Sequence, residues 1–140
     1  HAGEAAGADQ VAKAIDYGAK RIGHGINSIK DPNVINRLVQ SKIPLEVCVT
    51  SNYHTGAAIR GRHPLLELLE KGVLVTINTD DPGISNINIG HEYKLASEIA
   101  LISREKMLGI AELALENSFY KNPQSLVKEF KEKTSGPGIN

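Results

Sequence analysis

The sequence contains no tryptophan, two phenylalanines, one methionine and a single cysteine, Cys48. One cysteine excludes an internal disulfide and suits a reducing compartment, so a cytoplasmic location is the expectation. Net charge is absent too, because sixteen basic side chains balance sixteen acidic ones. A neutral chain gives no electrostatic reason to expect nucleic acid or an anionic membrane as partner. No apolar run approaches the roughly 18 residues that a membrane span needs. The chain also lacks an initial Met. It opens on His1-Ala2-Gly3-Glu4, and a chain that starts on a reactive motif reads as a piece of something longer. What remains is 140 residues, 41% of them apolar, enough for one domain with a buried core. A small molecule in a shaped pocket is the expected ligand.

Helical patterns alternate with short apolar runs. Val11, Ala14 and Ile15 predict a helix over 8–17, stopped by Gly18. Arg21 to Gly25 reads as a brief strand ending in a glycine-flanked histidine. Asp31-Pro32 starts the next helix, whose apolar stripe is Val34, Leu38 and Val39. Leu45 to Val49 reads as a strand, 64–71 as a helix closed by Gly72, and Val73 to Ile77 as a parallel strand buried on both faces. Helices are predicted near 88–101, 104–118 and 123–133. The segment 134–140, with Gly136-Pro137-Gly138, reads as a flexible tail.

Polar residues fall where these strands end. His24 lies 23 residues after His1, Ser51 lies 27 after His24, and Asp80 lies 29 after Ser51. Each gap holds one helix and one strand. Four strand ends would therefore offer polar groups along one sheet edge. A (β/α)₈ barrel builds its active site on that edge, and an open doubly wound sheet binds ligands there as well. No glycine-rich phosphate fingerprint supports the open sheet. About three strands and the end of a fourth are too few for a barrel, so half of the domain is expected upstream.

His1 and Glu4 set an imidazole and a carboxylate three residues apart, suited to metal binding and acid–base work. Gly23 and Gly25 strip side chains from both flanks of His24, allowing close approach of a ligand. Asn78-Thr79-Asp80-Asp81-Pro82 runs a buried strand into two adjacent carboxylates. Two such charges repel, and a metal ion taking one as ligand relieves the repulsion. Each motif has a plain alternative as a turn. Cys48 reads as a small core residue, His54 as a loop histidine, His63 as structural, and His91 as a packing or surface residue.

In order and spacing, His1-Ala2-Gly3-Glu4, Gly23-His24-Gly25, Thr50-Ser51-Asn52 and Asn78-Thr79-Asp80-Asp81-Pro82 resemble the motifs of adenosine deaminases. The stretch from Ile77 to Tyr93 resembles bacterial members in particular. The resemblance implies an α/β fold: residues 1–133 as the C-terminal half of a (β/α)₈ TIM barrel, with parallel strands and extra C-terminal helices. It implies one Zn²⁺ per site, with His1 and Asp80 as ligands. Glu4 would protonate N1 of the purine, and His24 would orient and deprotonate the zinc-bound water. Asp81 would hydrogen-bond N7, and Gly3 would line the substrate pocket. Because N7 only accepts, Asp81 would have to carry a proton, which burial beside Asp80 would favour.

The reaction implied is deamination of adenosine, and of 2′-deoxyadenosine, to inosine plus ammonia, a step of purine salvage. The partners implied are a purine nucleoside and either the missing N-terminal half or a second copy, since a half-barrel leaves sheet edges unpaired. The family's H-x-H ligand pair is absent from this sequence. The chain alone is therefore expected to bind zinc weakly and to lack enzymatic turnover. Two alternatives stand beside this reading: a non-catalytic half-barrel or interaction module, and an adenine or AMP deaminase sharing the zinc core.

Overall fold

The computed structural model describes residues 1–135. In chain order the elements are α1 (Ala8–Asp16), β1 (Ile22–Gly23), a 3-10 helix (Ile26–Lys30), α2 (Pro32–Ser41), β2 (Leu45–Val47) and α3 (Val49–His54). Then come α4 (Leu65–Glu70), β3 (Val75–Ile77), α5 (Pro82–Ser85), α6 (Ile89–Ala100), α7 (Arg104–Glu116) and α8 (Pro123–Thr134). The strands form one parallel sheet in the order β1-β2-β3. Leu45 pairs with Ile22 on one side and with Val75 on the other. Ala2 adds an isolated parallel bridge to His24, so the opening tetrapeptide lies against the free side of β1. Parallel neighbours need crossover connections, and the helices between the strands supply them. The result is a partial (β/α) barrel, as predicted.

Alternation along the strands turns Ile22, Leu45, Val47, Val75 and Ile77 into a core with Val11, Leu38, Leu65 and Leu68 from the helices. Each such side chain contributes about 1.5–3 kcal/mol by leaving water. Gly23 and Glu46 lie on the other side of the pleat and line an open cavity of about 520 Å³. Among the described residues, no helix is long and apolar enough to cross a membrane.

Several expectations shift. The strand predicted over 45–49 ends at Val47, and Cys48 caps the helix α3 that follows. Ser51 therefore sits on a helix and not at a strand end. The cause is distant: the backbone N–H of Thr50 donates to the buried carboxylate of Glu92, which takes the place of a ladder partner. The strand predicted over 73–77 shortens to Val75–Ile77, because Gly72 turns at φ 78 and the Val73 N–H bonds back to Leu68. The 3-10 helix and α5 carry no apolar periodicity, and both were missed. Val39 is exposed, and Ile35 takes its place in the buried stripe of α2. α8 runs through Thr134, past the predicted limit of 133, and residues 136–140 of the expected tail lie outside the described residues.

Gly25 is the tightest point between sheet and site loop. Its φ is 67°, and a Cβ there would come within 2.5 Å of Leu45 Cδ2. Gly25→Ala is expected to destabilise the fold by about 2–4 kcal/mol, read as a lower urea midpoint.

Candidate active site

The C-terminal edge of the sheet gathers four of the residues singled out from the sequence. His1 Nδ1 lies 3.0 Å from His24 Nε2. Glu4 Oε2 is 3.3 Å from the same Nε2. Asp80 completes the group, with Oδ1 3.9 Å from His1 Nε2 and Oδ2 3.9 Å from His24 Nε2. His24 is 1% exposed, whereas the imidazole of His1 is open to solvent. His24 and Asp80 hold φ of 63° and 57°, a region that side-chain-bearing residues rarely adopt. Such backbone costs of order 1–3 kcal/mol and persists where the surroundings over-determine it, typically at sites.

The loop carrying Glu4 is fixed by the 3-10 helix. Asn27 Nδ2 donates to the carbonyls of Glu4 and Ala6 at 2.7 and 3.0 Å, and the Asn27 backbone N–H donates to that of Gly3. Gly3 is buried at φ 64°, and a Cβ there would lie 2.4 Å from Val11 Cγ2. Packing alone therefore requires glycine at this position, which also borders a cavity of about 210 Å³ beside His1 and Glu4.

α3 supplies a second layer that sequence reasoning did not assign. Ser51 Oγ donates to Asp80 Oδ2 at 2.7 Å. Asn52 Nδ2 reaches Glu4 Oε1 at 3.3 Å and His24 Nδ1 at 3.1 Å. Thr55 Oγ1 donates to Glu4 Oε1 at 3.0 Å. Behind Asn52, His63 Nε2 lies 3.2 Å from its Oδ1. Glu92, fully buried on α6, receives both the N–H and the hydroxyl of Thr50 and so pins the start of α3. The one sequence signal for this layer was the polar run Thr50-Ser51-Asn52 inside an otherwise apolar stretch.

Other predicted residues fall as follows. Asp81 is exposed, so nothing in this chain buries it beside Asp80. His54 is exposed, 3.4 Å from Ser85 Oγ, and His91 is exposed at the start of α6. Cys48 is buried, and burial with the nearby carboxylate of Asp80 pushes its thiol up to about 12. Such a thiol does not ionise near neutrality and serves as a small core group.

The donor set suits a borderline divalent ion such as zinc, which takes imidazole nitrogen and carboxylate oxygen. Two overlapping sets are in reach. His1 and Asp80 form one. His1, Glu4 and His24 form the other, with ligand atoms within 4.8 Å of one another.

Parallel strands in βα succession, with imidazoles and carboxylates on one edge, are the arrangement found at the active-site edge of a (β/α)₈ barrel. More narrowly, the chain belongs to the adenosine deaminase family, whose model matches residues 1–132. It is 45% identical over 121 residues to the adenosine deaminase of Shewanella denitrificans, covering 85% of this chain and 37% of that protein. The adenosine deaminase of Klebsiella pneumoniae is also 45% identical, over 109 residues, with 76% and 33% covered. The chain thus spans about a third of the curated relatives it matches. The adenine deaminase of Arthrobacter aurescens superposes with TM-score 0.88 at 30% identity, over 97% of this chain and 43% of that one.

His63 gives the site a pH signature. Burial pushes it down to about 4 from the ordinary 6.5. Between these values the unfolded chain binds a proton that the folded chain does not. Stability should therefore fall as pH drops below about 6.5 and level off below about 4, with a slope under about 1.4 kcal/mol per pH unit. Urea unfolding across this range should show the slope in the native protein and lose this component in His63→Gln.

Proposed function

We propose that the protein carrying this chain hydrolytically deaminates adenosine and 2′-deoxyadenosine to inosine and ammonia with the help of zinc. The supporting observation is the convergence of His1, Glu4, His24 and Asp80 on one sheet edge within 3.0–3.9 Å. In this reading His1 and Asp80 hold the ion, and the remaining ligands come from residues outside this chain. Zinc would supply a water of pKa about 7 at neutral pH.

The other side chains do the rest. Attack at C6 breaks the aromaticity of the purine and drives an electron pair onto N1, which then needs a proton. Glu4 gives that proton, its other oxygen held by Thr55 and Asn52. His24 sits over the same point and orients the attacking water. The amino group then leaves as ammonia with the proton of the new C6 hydroxyl, and the proton that the water lost earlier returns to Glu4. Asp81 faces N7. Because Asp81 is exposed in this chain, its burial has to come from the bound purine and from residues outside the chain.

Adenine is the second reading, favoured by the superposition on an adenine deaminase. Identity to the adenosine deaminases is higher, so the nucleoside comes first. The test joins this chain to the preceding segment of an adenosine deaminase relative and follows the conversion of adenosine to inosine. Turnover of adenosine ahead of adenine and AMP is expected, with Glu4→Gln lowering kcat by about 10²-fold or more. Preference for adenine or AMP would redirect the assignment, and no turnover of any of the three would overturn it.

A further inference from the structure

His63 and Asn52 take no part in the chemistry proposed above, yet an unbroken line of hydrogen bonds joins them to it. The line begins at a group with no choice of role. The backbone N–H of Leu65, which can only donate, lies 3.1 Å from His63 Nδ1. His63 Nδ1 is therefore the acceptor, and in the neutral ring the proton sits on Nε2. Burial favours that neutral ring. His63 Nε2–H faces Asn52 Oδ1 at 3.2 Å, a donor meeting a carbonyl. This contact decides which way the Asn52 amide points.

The amide's two hydrogens are then directed at His24 Nδ1, 3.1 Å away, and at Glu4 Oε1, 3.3 Å away. His24 Nδ1 must accept, which leaves the proton of a neutral His24 on Nε2. That is the atom nearest to His1 Nδ1 and to Glu4 Oε2. Asn52 is 0% exposed and His24 is 1% exposed, so bulk water does not compete for the bond between them. Which ring nitrogen of a histidine carries the proton is set by the bond the other one makes.

We infer that His63, acting through Asn52, is a positioning residue that locks His24 in its Nε2–H tautomer. His24 then offers the site a hydrogen-bond donor and no lone pair. It orients the attacking water by donating to it, and does not take its proton as the family resemblance implied. This catalytic consequence rests on the proposed deaminase reading. The tautomer rests on the hydrogen bonds alone.

Long-range ¹H–¹⁵N correlation of labelled histidines reads the tautomer directly. In the native protein, at a pH where His24 is neutral, its proton should sit on Nε2 only. His63→Phe keeps a ring but removes the donor. It should give a mixture of His24 tautomers and lower kcat about 10- to 100-fold, with KM changed less than about 3-fold. His63→Gln restores a donor at that point and should recover the Nε2–H form and most of kcat. Asn52→Asp offers only acceptors and should invert His24 to Nδ1–H, which decides the matter even if His63→Phe fails to fold. A native His24 protonated at Nδ1, or an unchanged Nε2–H form in Asn52→Asp, would overturn the inference. The expected tautomers without any purine deamination would uphold it and sink the proposed function instead.

Discussion

One buried amide ties the fold to the site. Asn52 places its oxygen on His63 and its two hydrogens toward His24 and Glu4, with no exposure to water. Inside a protein each of these bonds is strong, and removing any one leaves a partner unsatisfied at a cost of about 1–3 kcal/mol. The amide can hold this post because α3 is fixed at its start by Glu92, while Ser51, one residue before Asn52, grips Asp80. Three segments that are far apart in sequence, those of Glu4, His24 and Asp80, are thus referred to one short helix. Ridges of Leu45, Val47, Val75 and Ile77 keep the sheet edge beneath it in place.

Much of this architecture was legible in the sequence. His1, His24 and Asp80 recur at the length of a βα unit, and that period places them on one edge whichever barrel or sheet they belong to. The parallel strands follow from branched apolar runs broken by helical patterns. Ser51 reached the site as the spacing required, yet it came from a helix. Val47, Cys48 and Val49 have the composition of a strand, and the group that ends it, Glu92, lies 42 residues beyond Thr50. Local propensity carries no record of such a partner. His63 was read as structural, and its histidine–proline context hid the contact with Asn52. Asp81 was expected to carry a proton for N7, favoured by burial beside Asp80. Pro82 instead starts α5 at the surface, and the pair is split into a half-buried Asp80 and an exposed Asp81.

The inner face of the sheet explains why the chain looks like part of a site. Its helix-covered face is packed, while the opposite face opens onto a cavity that runs from His1 and Asp80 to Arg21, Glu46 and Phe119. Arg21 spans this space, 3.2 Å from Glu46 and stacked 3.8 Å over Phe119. Curated relatives are about three times as long as the matched segment. A surface that is polar, concave and lined by reactive groups is what a barrel interior presents when seen from one side.

The proposed division of labour gives His1 and Asp80 to the metal and leaves Glu4 and His24 free for the purine. Anomalous diffraction at the zinc edge tests it most directly, on crystals of the chain joined to the preceding segment of a relative. One zinc ion touching His1 and Asp80 is expected, with Glu4 and His24 uncoordinated. A zinc ion held by His1, Glu4 and His24 together would contradict it, because no acid would then remain to protonate N1.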